Sequence, residues 1–156
     1  MVLETLKDWI GKSVIDELSF ESEKENQIVL CIGDNQYCFI EPNESDALVH
    51  IFIYVPILRL PDNTEEKSHV LSECLNKNSF SMETGVATIG LDKRNNYIFL
   101  GHHTAFDLYD ENIFNACLAD IIENGKKLIT TLNAINKPIV TDTLKPESIS
   151  GMYIKP

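Results

Sequence analysis

The sequence predicts an α+β domain, a mainly antiparallel twisted sheet packed against helices, in the order α-β-β-β-α-β-β-α. Three observations predict it. Short apolar runs joined by polar turns read as hairpins. Apolar residues recurring at three and four read as helices. A length of 156 residues with 44% hydrophobic and 24% charged side chains suits one domain with its own core. That domain is expected over residues 1–134, with 135–156 a loosely ordered tail.

The first element is a short amphipathic helix over residues 2–10. Val2, Leu3, Leu6, Trp9 and Ile10 fall at helical spacing, Glu4, Lys7 and Asp8 lie opposite, and Gly11 marks the end. Residues 12–27 read as a polar, acidic connection with a few apolar anchors, Val14, Ile15, Leu18 and Phe20. Three strands are expected next, at 28–32, 36–41 and 48–55. Asp34 and Asn35 tolerate positive φ and make a two-residue hairpin turn. A regular hairpin around them sets Ile32 opposite Tyr37, Cys31 opposite Cys38 and Leu30 opposite Phe39. In the third strand Leu48, Phe52 and Tyr54 point one way, and Val49, Ile51, Ile53 and Val55 the other. Both faces of this sheet are therefore apolar, whereas a sheet with one wet face alternates apolar with polar. Either helices cover both faces or one face is kept for a partner, and the chain holds too little helix to cover both.

A second helix starts at Pro61–Glu66, with a capping residue and carboxylates in its first turn. Val70, Leu71, Cys74 and Leu75 give it a narrow apolar stripe that ends by Asn76–Ser79. A second hairpin runs 86–91, a polar turn at 92–96, then 97–104. Asp107 or Asp110 caps a long last helix, in which Ile113, Phe114, Cys117, Leu118, Ile121 and Ile122 begin the strongest periodic signal of the chain. Gly125 within it is expected to mark a kink or an early end. The tail carries Pro138, Pro146 and Pro156 and little periodicity.

Charge excludes whole classes of partner. There are 24 acidic residues against 13 basic ones, a net charge of −11, and only Arg59 and Arg94 supply guanidinium groups. Nucleic acid and anionic membrane surfaces reward lysine and arginine, so neither is expected. No basic, apolar secretory signal opens the sequence, and no apolar run reaches spanning length. A cytoplasmic location is expected, with Cys31, Cys38, Cys74 and Cys117 reduced.

Catalytic motifs do not survive inspection. Gly11-Lys12-Ser13 resembles the end of a phosphate loop, but the glycine required five residues earlier is Leu6, and a helix precedes it instead of a strand. His102 and His103, adjacent on a strand, point to opposite faces and cannot share an ion. His50 and His69 show no ligand spacing with them. No nucleophile elbow is present, and no cysteine has an evident histidine partner. The residues point away from an enzyme, a metal centre or a cofactor site. Left open are an interaction domain and, less favoured, a small-molecule-binding domain.

The stretch from Asn78 to Asp107, NSFSMETGVATIGLDKRNNYIFLGHHTAFD, resembles the Tir-chaperone (class I) family, the effector chaperones of bacterial type III secretion. It has an Asn-containing exit from the second helix, a strand ending Gly90-Leu91-Asp92, a polar turn and an aliphatic strand. The first helix, Phe20-Glu21 and the link 57–61 are also similar to that family. The resemblance implies a homodimer that binds the N-terminal segment of a secreted effector, keeps it extended and export-competent, and hands it to the secretion ATPase without a cofactor or hydrolysis of its own. The effector-facing set expected on that basis is Leu6, Ile10, Leu30, Ile32, Tyr37 and Phe39. The dimer contact expected is Leu71, Leu75, Ile89 and Leu91. The alternative is an adaptor domain of the same fold outside secretion.

Overall fold

The structure is a computed structural model and describes residues 2–11, 19–24, 26–44, 48–79 and 83–135. The elements run α1 (Val2–Gly11), β1 (Ser19–Lys24), β2 (Gln27–Gly33), β3 (Gln36–Glu44), β4 (Val49–Arg59), α2 (Thr64–Ser79), β5 (Thr88–Asp92), β6 (Tyr97–Ala105) and α3 (Glu111–Ile135), with a single 3-10 turn at Phe106–Leu108 before α3. The strands form one six-stranded antiparallel sheet in the order β1-β2-β3-β4-β6-β5. The α+β expectation holds, with one strand more than expected. Ser19–Lys24, read from sequence as part of a connection, pairs with β2. Its polar composition suits an edge, where charge discourages unwanted pairing.

Helix ends form where the sequence supplies caps. The Asn63 side-chain oxygen accepts from the amides of Glu65 (2.9 Å) and Glu66 (3.1 Å) at the start of α2. Asp110, not Asp107, caps α3 by accepting from the Ile113 amide at 2.8 Å. Gly125 does not end α3, which runs on to Ile135. A Cβ there would fall 2.9 Å from Val55 Cγ1, so the glycine lets the helix lie close on β4.

Period-two alternation gives every strand two faces, and the helices take only one. Ile28, Leu30, Ile32, Cys38, Ile40, Ile51, Ile53, Val55, Ile98 and Leu100 join Leu6 and Ile10 of α1, Val70 and Cys74 of α2, and the α3 stripe Phe114 to Leu132 in one aliphatic core. The opposite face carries its own cluster of Val29, Phe39, Tyr54 and Phe99, flanked by Tyr37 and Phe52. No residue of a described helix belongs to it.

The first hairpin corrects the expected register. Gly33 pairs with Gln36, but Cys31 pairs with Tyr37, Leu30 with Cys38 and Val29 with Phe39, because an irregularity between Cys31 and Gly33 leaves Ile32 unpaired. Asp34 and Asn35 form the turn, with Asn35 at φ 54°. One residue of slip exchanges the faces of everything that follows it. Cys31 and Cys38 therefore do not face each other, and all four cysteines are free.

Candidate functional site

The slip divides the expected effector-facing set. Leu6, Ile10, Leu30 and Ile32 are buried between sheet and helices, on the aliphatic side. Tyr37 and Phe39 lie on the other face, among aromatic rings. Three partners there were not singled out from sequence: Phe52, Tyr54 and Phe99. Phe52 and Tyr54 were placed on one face by alternation alone, and a count of rings per face would have found them.

Cross-strand pairing assembles this aromatic face. Phe39 on β3 stacks on Tyr54 of β4 at 5.1 Å between centroids, and Tyr54 on Phe52 at 4.8 Å. Phe99 of β6 meets Phe52 and Tyr54 edge-on at 5.8 and 6.2 Å. These offset-stacked and edge-to-face arrangements are the ones the ring quadrupole favours. Two glycines make room. A Cβ on Gly90 would lie closer than 3.0 Å to Phe99, and one on Gly101 would lie 2.8 Å from Phe52 Cε2. Each ring thus takes up the space a side chain would fill, with Phe99 standing nearly perpendicular to Phe52 (88°).

A polar knot sits within the rings. The Tyr54 hydroxyl donates to Glu41 Oε1 at 2.8 Å, and the Gln27 side-chain amide donates to the same oxygen. Burial raises the Glu41 carboxyl above its usual range, against the lowering effect of the Tyr54 and Gln27 hydrogen bonds. Burial, then the Glu41 charge, drives the Tyr54 hydroxyl upward in turn. At the far rim His50 and His103 stack face to face at 4.8 Å. Burial, and then the neighbouring His50 and His102, lower His103. His102 points to the other side, its Nδ1 2.9 Å from the Val86 carbonyl oxygen, as adjacent strand residues must. Among the described residues no three His, Cys, Asp or Glu side chains gather as a metal site. No described helix is long and apolar enough to cross a membrane.

The two sheet edges differ. On β5 the Asn78 side chain donates to the Ile89 carbonyl (2.9 Å) and accepts from the Ile89 amide (2.8 Å). One side-chain amide thereby stands in for an added strand and closes that edge. The expected dimer residues lie beside it. Leu75 is 68% exposed on α2, Leu71 and Leu91 are half-buried, and the Ile89 side chain faces the core.

The family model described as the Tir chaperone protein (CesT) family matches residues 16–128. The chain belongs to the Tir chaperone protein family. Solved structures share the fold of this family member. An uncharacterized protein from Methanothermobacter thermautotrophicus matches at a TM-score of 0.60 and 14% identity, covering 86% of this chain and 98% of that one. A chain of the heterodimeric ExoU–SpcU complex from the type III secretion system of Pseudomonas aeruginosa matches at 0.57 and 16%, covering 86% and 99%. A chain of the HopA1–SchA chaperone–effector complex matches at 0.56 and 11%, covering 82% and 92%. At these identities the likeness concerns the fold. A search of curated proteins finds no significant match.

Proposed function

We propose that this Tir-chaperone family member binds the N-terminal segment of a type III secreted effector and holds it extended for export, and that the aromatic sheet face receives it. Membership of the family supports the first part. The single observation behind the second is a sheet face built of Tyr37, Phe39, Phe52, Tyr54 and Phe99 that no described helix covers.

An extended peptide can add to a sheet edge through its backbone while alternate side chains enter apolar pockets. Asn78 closes the β5 edge at Ile89, which favours β1, the other end of the strand order. Residues 1–46 hold 11 acidic and 3 basic residues, so a client strand bearing lysine or arginine is favoured there. Rings suit such a surface because they offer large contact area with few rotamers to freeze. The role requires binding and release alone, and no hydrolysis.

Self-association would use exposed Leu75 with half-buried Leu71 and Leu91 beside it. A two-fold contact there would leave the aromatic faces of both copies available and let one client engage both. Delivery of the client to the secretion ATPase, in a cytoplasmic setting, belongs to the same proposal.

Phe52 tests the site because it is half-buried and near the rim. Phe52→Asp should leave the circular dichroism spectrum and the oligomeric state intact and reduce binding of the effector's N-terminal segment by at least tenfold. Leu30→Asp, in the aliphatic core, should unfold the protein. Undiminished effector binding by folded Phe52→Asp would place the client elsewhere.

A further inference from the structure

The aromatic face poses a problem of cover. Val29, Phe39 and Tyr54 have no exposed surface, and Phe99 has 7%, yet every buried hydrophobic side chain of the three helices belongs to the other cluster. Ring-on-ring stacking hides the edges and flanks of these side chains. It does not supply a layer above them, and no described helix supplies one; a large apolar patch left without cover is rare on a folded domain.

The course of α3 identifies a candidate for that layer. The helix crosses the back of the sheet, with Gly125 against Val55 and Lys126 Cε 3.9 Å from a Cβ position on Gly33, beside the β2–β3 turn. It continues to Ile135, so it leaves the sheet at the end where Tyr37 begins the aromatic face. Residues 136–156 follow and lie outside the described residues. Twenty-one residues reach up to about 70 Å when extended, and passing round the hairpin end requires a fraction of that. Their chemistry also fits. Ile139, Val140, Leu144 and Ile149 are apolar, and Lys137, Lys145 and Lys155 outnumber Asp142 and Glu147 in a chain whose net charge is −11.

We infer that the C-terminal segment 136–156 is an internal stand-in for the client, docking on the aromatic face of its own chain and yielding to the effector segment. The capping part goes beyond the chaperone reading and does not depend on it; the displacement part rests on it. Held covalently, the segment competes at a high effective concentration without needing high intrinsic affinity. A face covered about nine-tenths of the time weakens client binding about tenfold, which keeps the rings from indiscriminate partners and releases them to a segment that binds well.

The test uses the full chain with p-benzoylphenylalanine incorporated at Tyr37, irradiated at low concentration without effector, as a mixture of isotopically light and heavy protein. The expected product is a cross-link within one chain to residues 136–156. Cross-links only to other segments or between light and heavy chains, or none, overturn the capping. Adding effector should replace the tail cross-link with an effector cross-link. A tail cross-link that effector leaves unchanged overturns the displacement and places the fault in the client site, with the capping intact. A second variant guards against loss of folding at Tyr37. Full-length Val140→Asp/Leu144→Asp, altered outside the described residues, should bind effector three- to tenfold tighter than the parent. Equal affinity overturns the competition.

Discussion

The aromatic face depends on a ring lying on bare backbone, and Gly90→Ala tests that directly. Gly90 pairs with Phe99 across β5 and β6, and an added Cβ would lie within 3.0 Å of three ring atoms. The ring has to tilt away, breaking its edge contacts with Phe52 at 5.8 Å and Tyr54 at 6.2 Å. Overpacking of this kind costs about 1–3 kcal/mol, or a fall in Tm of about 2–4 °C per kcal/mol for a chain this long. Away from the ring the same methyl should help, since glycine within a strand is about 0.5–1 kcal/mol worse than alanine. The sign of the substitution therefore depends on Phe99. In a Phe99→Ala background, itself destabilised by about 3–5 kcal/mol, Gly90→Ala should be neutral to stabilising. Urea unfolding of the four proteins, compared at equal m-values, gives the coupling between the two sites. A Gly90→Ala cost that is unchanged in the Phe99→Ala background, additive to within about 0.5 kcal/mol, would refute the view that the glycine exists to seat the ring.

Three other perturbations have expected outcomes. Asn78→Ala strips the β5 edge of its only described side-chain partner at Ile89, leaving one donor and one acceptor unpaired; it should cost about 1–3 kcal/mol and raise the tendency to aggregate, read by light scattering during storage. Asn78→Asp, which keeps only the accepting oxygen, should lie between the two. Glu41 has a carboxyl raised by burial, so the folded state holds its proton more tightly than the unfolded chain does. Its stabilising contribution is complete below the ordinary carboxylate range and is lost as pH rises through the raised value. Glu41→Gln should accordingly gain Tm relative to the parent at pH 7–8 and lose that advantage on acidification to about pH 4; an advantage that is the same at both ends contradicts the buried-carboxylate reading. Thiol labelling at pH 8 should reach half-buried Cys31 first. Burial raises the thiols of Cys38 and Cys117, and takes Cys74 to about 11, so early modification of Cys38 by mass spectrometry would show the aliphatic core to be open.

Most of the fold was legible because it rests on local chemistry. The Asn63 and Asp110 caps, the Asp34–Asn35 turn and the α3 stripe each fix an element within a few residues of themselves. What escaped depends on contacts distant in sequence. Ser19–Lys24 has no strand-like pattern of its own and becomes a strand because β2 offers it an edge. Gly125 reads as a helix breaker until Val55 is placed against it. The hairpin register looked settled by the turn, yet the unpaired Ile32 moved Phe39 from opposite Leu30 to opposite Val29. That slip is why the expected effector set mixed two faces: Leu30 and Ile32 belong to the core, and Tyr37 and Phe39 to the aromatic side. Alternation announced two apolar faces. It did not say which one the helices would take, since aliphatic stripes on α1 and α3 would bury against either.

The two faces of the sheet are built of different residue types. The helix side is Ile, Val and Leu, branched side chains that interlock with helix ridges and, once interlocked, have no reason to separate. The other side is Phe and Tyr with Val29, stacked and edge-on to one another, with Phe99 and Phe52 close over Gly90 and Gly101 and the Glu41–Tyr54–Gln27 knot beside them. An extended peptide laid on such a face would meet it with every second side chain. Whenever such a face is uncovered, a net charge of −11 makes like copies repel, and the same charge would favour a segment of opposite sign. The acidic excess and the aromatic face thus belong to one arrangement. Neutralising the charge without touching a ring should make the protein aggregate before it loses structure.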